Sequence, residues 1–363
     1  MYYYYRIAEL TLKSCFSMKS FEPFLCEASA HDVTLEGTDE KPLPGRELDS
    51  GKIVHREQPD GWFFHLPEND LKGVYANRDY TCLRVYGAGE SGLDFTAEWF
   101  IRVALECRLA RMGCVSLHSA AIEVDQEAYA FSGPSGIGKS TRALAMMRAL
   151  GAELINGDRP LINVRKLEVY GVPWDGKERC FRNIHYPLKA ICEVRRSGSV
   201  YIRQMSFAQR RKLLLRQCFM PMWDVETAAI QMSNISRLAG SAEIVRVFSG
   251  PDEEDVRALH SALQQHLYLK EEPDMKAKPG FILRNVVDEY ILMPTGDNIG
   301  QFNGTVLLNE VSALVWEKLQ NPVSREDLLK AILDEFEVEK AVASADLDNL
   351  LATLRGYGVI EDD

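Results

Sequence analysis

The chain has 363 residues, 46% of them hydrophobic and 26% charged, with a formal net charge of −11. That composition excludes wholesale disorder, gives room for two or three domains, and is wrong for general nucleic-acid binding. No apolar run reaches the ~18 residues that cross a bilayer. Eight scattered cysteines without a CxxC pair argue against a zinc ribbon and fit reduced thiols in a cytoplasm, so a cytoplasmic location with no membrane partner is expected.

In chain order, residues 1–110 read as a β-rich region. Tyr2–Thr11, Gly51–His55, Trp62–Leu66 and Tyr80–Tyr86 are short aromatic and β-branched runs between turn-forming clusters. Phe95–Met112, free of Gly and Pro, has helical periodicity through Trp99, Val103, Leu105 and Leu109. Residues 111–270 then read as strand (Val115–Val124), turn, strand (Ala128–Ser132), Gly-rich loop and helix (Lys139–Leu150). Glu153–Ile155 and Leu161–Val164 continue as strands, and Phe207–Leu215 and Asp252–Leu269 as helices. The Pro-rich, charged stretch 271–280 is the expected linker. The charge agrees with that boundary: residues 272–363 hold 18 acids and 8 bases, and the remainder is nearly balanced at 35 and 34.

Gly133-Pro-Ser-Gly-Ile-Gly-Lys-Ser140 fits G-x-x-x-x-G-K-[ST], preceded by a strand and followed by a helix. In such a loop the glycines let backbone N–H groups turn inward around phosphates, the lysine reaches the β/γ-phosphates, and the serine hydroxyl ligates Mg²⁺. Gly133, Ser135, Gly136, Ile137, Gly138, Lys139, Ser140 and Thr141 are therefore the expected ATP-binding residues. Phosphoryl transfer also needs a carboxylate. Asp158, in Leu154-Ile-Asn-Gly-Asp-Arg-Pro160, lies where a strand meets a turn and is the first candidate, as base and, with Ser140, as metal ligand. His118 lies fifteen residues ahead of the loop, on a strand that could run beside it. Val172-Pro-Trp-Asp-Gly-Lys-Glu178 could hold an acceptor or bury Trp174 in the core. Val194–Trp223 contains seven cations and no acid, fitting either an acidic ligand or a solvated helix face.

Leu117–Val124, Phe131–Thr141 and Leu154–Arg159 together resemble the catalytic domain of HPr serine kinase/phosphorylase, and still more its peptide-phosphorylating relatives such as the lasso-peptide kinases. The resemblance covers about residues 111–265. It implies an α/β P-loop kinase domain akin to phosphoenolpyruvate carboxykinase, using ATP and Mg²⁺, with Asp158, His118 and Lys139 as catalytic residues. Those kinases usually carry two adjacent aspartates in the acidic turn. Here the first is Gly157, so Asp158 serves both roles or another group, His118 first, supplies the base.

In the last segment, Phe281–Arg284, Glu289–Met293 and Thr305–Leu308 read as strands. Asn309 and Ser324 read as N-caps of Glu310–Leu319 and Asp327–Phe336, and Asp346–Tyr357 as a third helix. This winged-helix-like order, with Leu307–Trp316, the Val323–Leu329 helix start and Leu354–Ile360, resembles the PqqD family of peptide chaperones over residues 281–363. The resemblance implies that residues 281–363 bind the leader of a precursor peptide by strand addition. A −10 balance is wrong for tracking DNA phosphates.

The two resemblances together imply a Ser/Thr kinase of a ribosomally synthesised precursor peptide. Other maturation enzymes are compatible partners and oligomerisation stays open. A nucleotide-gated chaperone without transfer, a kinase/phosphorylase of a carrier protein and a small-metabolite kinase remain alternatives.

Overall fold

A computed structural model describes residues 1–49, 54–88, 93–174, 176, 179–271, 275–286, 289–296 and 306–362. The chain divides into two compact units, Met1–Ala262 and Leu263–Asp363. The division expected at residue 110 falls inside the first.

The first unit opens with an eight-stranded sheet: β1 (Tyr3–Ile7), β2 (Leu10–Ser14), β3 (Val33–Thr38), β4 (Arg46–Asp49), β5 (Val54–Gln58), β6 (Gly61–Leu66), β7 (Asn69–Asn77) and β8 (Cys82–Tyr86). Their spatial order is β1-β2-β3-β8-β7-β6-β5-β4. Tyr2–Thr11, expected as one strand, is instead a hairpin that turns at Ala8–Glu9, with Ala8 at φ +49°. The expected strand Gly51–His55 begins at Val54, and 51–53 lie outside the described residues. Helix α1 (Phe95–Arg111) forms where the periodicity places it, and the Asp94 carboxylate accepts the Ala97 N–H at 2.8 Å. Its buried face (Phe100, Ile101, Ala104, Leu105) packs with Tyr5, Leu12, Phe64 and Val74 of the sheet, in a cluster that extends to Cys114, Leu161 and Trp174.

The second sheet has nine strands: β9 (Cys114–Ser116), β10 (Ser119–Val124), β11 (Glu127–Ser132), β12 (Glu153–Asn156), β13 (Leu161–Asn163), β14 (Glu168–Tyr170), β15 (His185–Arg196), β16 (Tyr201–Gln204) and β17 (Ile244–Ser249). Its path is β12-β10-β11-β15-β14-β13-β9, with β17 between β15 and β16. Strands β11, β15 and β17 run parallel. Helix α2 (Lys139–Leu150) leaves β11, and α3 (Phe207–Gln217), α4 (Val225–Ser241) and α5 (Glu253–Glu271) follow.

The run Val115–Val124, expected as one strand, breaks at Leu117-His118. β9 pairs with β13, whereas β10 pairs with β11 and β12. The break is held by long-range main-chain bonds. Leu117 N–H donates to Pro160 O (3.2 Å), His118 N–H to Gln217 O (2.8 Å) and Ser119 N–H to Asp158 O (2.9 Å).

In the second unit, β18 (Met275–Ala277) pairs with β22 (Ile360–Asp362), so part of the expected linker is a strand. β19 (Phe281–Val286), β20 (Glu289–Pro294) and β21 (Val306–Leu308) form a sheet in that order, and α6 (Glu310–Lys318), α7 (Arg325–Glu335) and α8 (Lys340–Gly356) complete it. Asn309 accepts the Ser312 N–H (2.8 Å) and Ser324 the Asp327 N–H (3.1 Å), as the caps predict. Helix α8 starts six residues ahead of the expected Asp346, because Lys340–Ala345 is rich in alanine and brings Ala343 into the core. That core gathers Trp316, Leu328, Ile332, Leu347, Leu351 and Leu354.

Candidate functional site

The candidate site grows from the end of β11, whose Tyr129–Ser132 are all buried. Two glycines set the loop that follows. Gly136 has φ +77° with open space around a notional Cβ, and Gly138 has φ +104° at the N-cap of α2. No side chain caps that helix, so its first N–H groups face the loop, an arrangement suited to an anion. Pro134, Ser135 and Gly136 are exposed at the tip, Ile137 and Ser140 are half-buried, and Thr141 is exposed. Lys139 is buried and its Nζ donates to Gly133 O (3.1 Å) and Pro134 O (3.3 Å), tying the helix start to the loop entrance. Burial pushes the Lys139 pKa down, Asp158 opposes that, and Arg159 adds to it.

Two arginines brace the loop: Arg142, which the sequence reading passed over, and Arg196, one of the seven cations of Val194–Trp223. Arg142, only 1% exposed, donates from Nε to Ser249 Oγ (3.0 Å) and from Nη2 to Ser249 O, and its Nη1 reaches Ile137 O and Gly138 O at 3.4 Å. Arg196 Nη2 donates to Gly136 O (2.8 Å). A cleft of about 570 Å³ lies beside the loop, bounded by Gly138, Thr141, Arg142, Arg196 and Ser249. It stands at the carboxyl ends of β15 and β17, where open α/β sheets place ligands.

His118 Nε2 lies 3.6 Å from Asp158 Oδ1. The turn carrying Asp158 is shaped by Asn156, whose side-chain oxygen accepts the N–H groups of Asp158 (3.0 Å) and Arg159 (2.7 Å). Asn156 Nδ2 in turn donates to Trp174 O (2.9 Å). Trp174 itself is packed in the core, while Asp175, Lys177 and Glu178 of the expected loop lie outside the described residues. The His118 pKa is lowered, first by burial and then by the Lys139 charge, with Asp158 and a hydrogen bond to the Gln217 side chain acting the other way.

His118, Lys139 and Asp158 therefore converge, although 40 residues of sequence separate the first from the last. Sequence reasoning missed Asn156, Arg159, Arg142 and Gln217. Asn156 had a signal, an Asn ending a strand just before glycine. Gln217 had none, since only the fold brings it to His118. Among the described residues no three His, Cys, Asp or Glu side chains gather as a metal cage. A hydroxyl (Ser140) and one carboxylate (Asp158) are hard oxygen donors. They suit Mg²⁺, which keeps waters and substrate phosphate oxygens in its shell.

In the second unit, β21 is an edge of its sheet among the described residues, pairing only with β20. Leu307 on that strand is 64% exposed. No helix among the described residues is long and apolar enough to cross a membrane.

Comparison with known proteins matches residues 289–360 to the family described as coenzyme PQQ synthesis protein D (PqqD). No curated protein matches the chain. Similar solved structures include TbiB1 in complex with the TbiA(beta) leader peptide and a lasso peptide synthetase B1 complexed with the leader peptide. Each is 22% identical with a TM-score of 0.21, covering 24% of this chain and 94% and 98% of the respective structures. The chain thus carries a PqqD domain in its second unit.

Proposed function

We propose that the chain is an ATP-dependent Ser/Thr kinase of a ribosomally synthesised precursor peptide, whose leader is bound by the PqqD domain. The observation that carries this reading is the meeting of His118, Asp158 and Lys139 at a complete phosphate-binding loop. In this reading the N–H groups of residues 135–141 and Lys139 hold the phosphates, and Ser140 and Asp158 hold Mg²⁺. MgATP supplies the phosphoryl group. Asp158 orients the acceptor hydroxyl and accepts its proton, with the His118 ring as its neighbour at 3.6 Å.

The PqqD family and the leader-bound structures named above support a peptide as the partner. An edge strand with an exposed apolar side chain offers main-chain hydrogen bonds plus a pocket contact, the requirements of strand addition. Holding the leader would raise the acceptor's effective concentration to the order of mM.

Gly157, standing where the kinases it resembles carry a second aspartate, favours one other reading, a nucleotide-gated peptide chaperone. Intact-mass measurement of a precursor peptide incubated with the protein and MgATP separates the two. A gain of one phosphoryl group is expected. Bound but unmodified peptide would establish the chaperone.

A further inference from the structure

Helix α3 ends at the catalytic pair. Its last residue, Gln217, takes the His118 N–H at 2.8 Å and bonds the His118 ring through its side chain. The stretch that contains this helix, Val194–Trp223, holds seven cations and no acid. Most of the seven are accounted for within the fold. Arg195 pairs with Glu193, Arg196 bonds the phosphate loop, and Arg203 lies over the Tyr201 and Phe248 rings. Arg210 donates to Met205 O and Ala242 O, and Arg211 to Ser236 Oγ.

Lys212 and Arg216 remain. Both are exposed, and among the described residues neither pairs with a carboxylate. They stand at i and i+4, on one ridge of the helix, with Arg216 next to Gln217. Arg216 in the last turn complements the helix dipole, but Lys212 lies a turn earlier, where that benefit has faded. Like charges at this spacing disfavour a helix, and no acid in α3 offsets them. The ridge is suited to an anionic ligand that arrives from outside.

We propose that Lys212 and Arg216 form an acceptor-side subsite for an acidic segment flanking the phosphorylated Ser or Thr. This rests on the kinase reading above and adds the substrate's chemistry to it. The two positions are about 6 Å apart along the helix axis. Same-side residues of an extended peptide are about 6.7 Å apart. Acidic residues at alternate positions of the acceptor would therefore meet the two cations in register, while the hydroxyl lies at His118 and Asp158. The expected substrate is a peptide with Asp or Glu at alternate positions beside its acceptor.

The test measures binding of a labelled peptide to the full chain by fluorescence anisotropy without nucleotide. The peptide carries one serine with aspartates at alternate positions on both sides, and a matched peptide has asparagines instead. The acidic peptide is expected to bind at least tenfold more tightly than the neutral one, with the difference shrinking as salt is added. The double change Lys212→Glu with Arg216→Glu should remove that preference, and Lys212→Gln with Arg216→Gln should weaken it. Arg257→Glu, a single charge reversal on the exposed side of α5, should leave it intact. Equal binding of both peptides, or an unchanged preference in the Glu variant, would overturn the proposal. If the acidic peptide binds through this ridge but gains no phosphoryl group with MgATP, the subsite stands and the kinase reading fails. If both peptides are phosphorylated with the same KM, the kinase reading stands and the subsite fails.

Discussion

The phosphate-loop region and the PqqD domain are built on opposite economies of polar groups. Around the loop, buried polar side chains do the positioning: Arg142 on Ser249, Lys139 on the Gly133 and Pro134 carbonyls, and Asn156 shaping the Asp158 turn. The PqqD domain instead rests on an apolar core around Trp316 and Leu354, with capped helix ends and polar groups kept at the surface. A reaction needs a few atoms fixed in place, which satisfied polar contacts in a low-dielectric setting provide. Recognition by strand addition needs only a stable sheet with an accessible edge. Changes near the loop should therefore abolish chemistry, and changes on the PqqD surface should shift affinity alone.

The largest effect is expected at Lys139. Lys139→Ala removes the phosphate-directed charge and both bonds across the loop, so phosphoryl transfer should fall below detection and calorimetry should show weakened MgATP binding. Unchanged binding would mean that this loop does not cradle phosphates. Asp158→Asn keeps the shape of the turn while removing the carboxylate. Turnover should fall at least ~10²-fold, the scale of a lost general base, with the circular dichroism spectrum unchanged. Near-normal turnover would transfer the proton-accepting role to His118.

The first unit should also respond to acid. His55 is buried and stacked on Trp223 at 4.2 Å, and burial pushes its pKa from 6.5 down to about 4. The unfolded chain takes up this proton near pH 6.5, whereas the folded unit resists it until about pH 4. The His55 contribution to stability is therefore level above pH 6.5 and falls as pH drops through that window, by up to about 3 kcal/mol. Urea titrations at pH 7 and 4.5 should show this loss, and His55→Phe should reduce it. An unchanged loss in that variant would assign it to other groups.

The smallest effect is expected at the PqqD edge. Leu307→Asp alters an exposed side chain, so the fold should persist while leader affinity falls about tenfold, equivalent to about 1.4 kcal/mol. MgATP binding, measured on the same variant, should not change. A loss of both would mean that the two regions are not separable in this way.

What could be read from the sequence follows the same contrast. The bounds of α2, the capping roles of Asn309 and Ser324 and the loop itself are local, set by residues within a few positions of one another. The break at His118 was not legible. An apolar run spans it, and it is imposed by bonds to Asp158, Pro160 and Gln217, far along the chain. Strand β15, the centre of the second sheet, was missed because Pro187 and the polar residues near its start mask its pattern. Helix α4 was missed because Thr, Ser and Asn dilute its helical signal, although its Asp224 cap accepts the Thr227 N–H at 3.1 Å. Lys139 and Asp158 could be nominated from sequence, but their convergence with His118 depends on which strands are neighbours.

The central claim is that a leader held by the PqqD domain feeds a hydroxyl to the loop site. The most direct measurement compares initial rates of phosphoryl gain, by intact mass, for a precursor peptide with and without its leader, using the full chain and MgATP at low peptide concentration. The account predicts rapid modification of the intact precursor. The leaderless peptide should be modified far more slowly, and should recover only as its concentration approaches the mM range. Equal rates for the two peptides, or no phosphoryl gain on either, would contradict it.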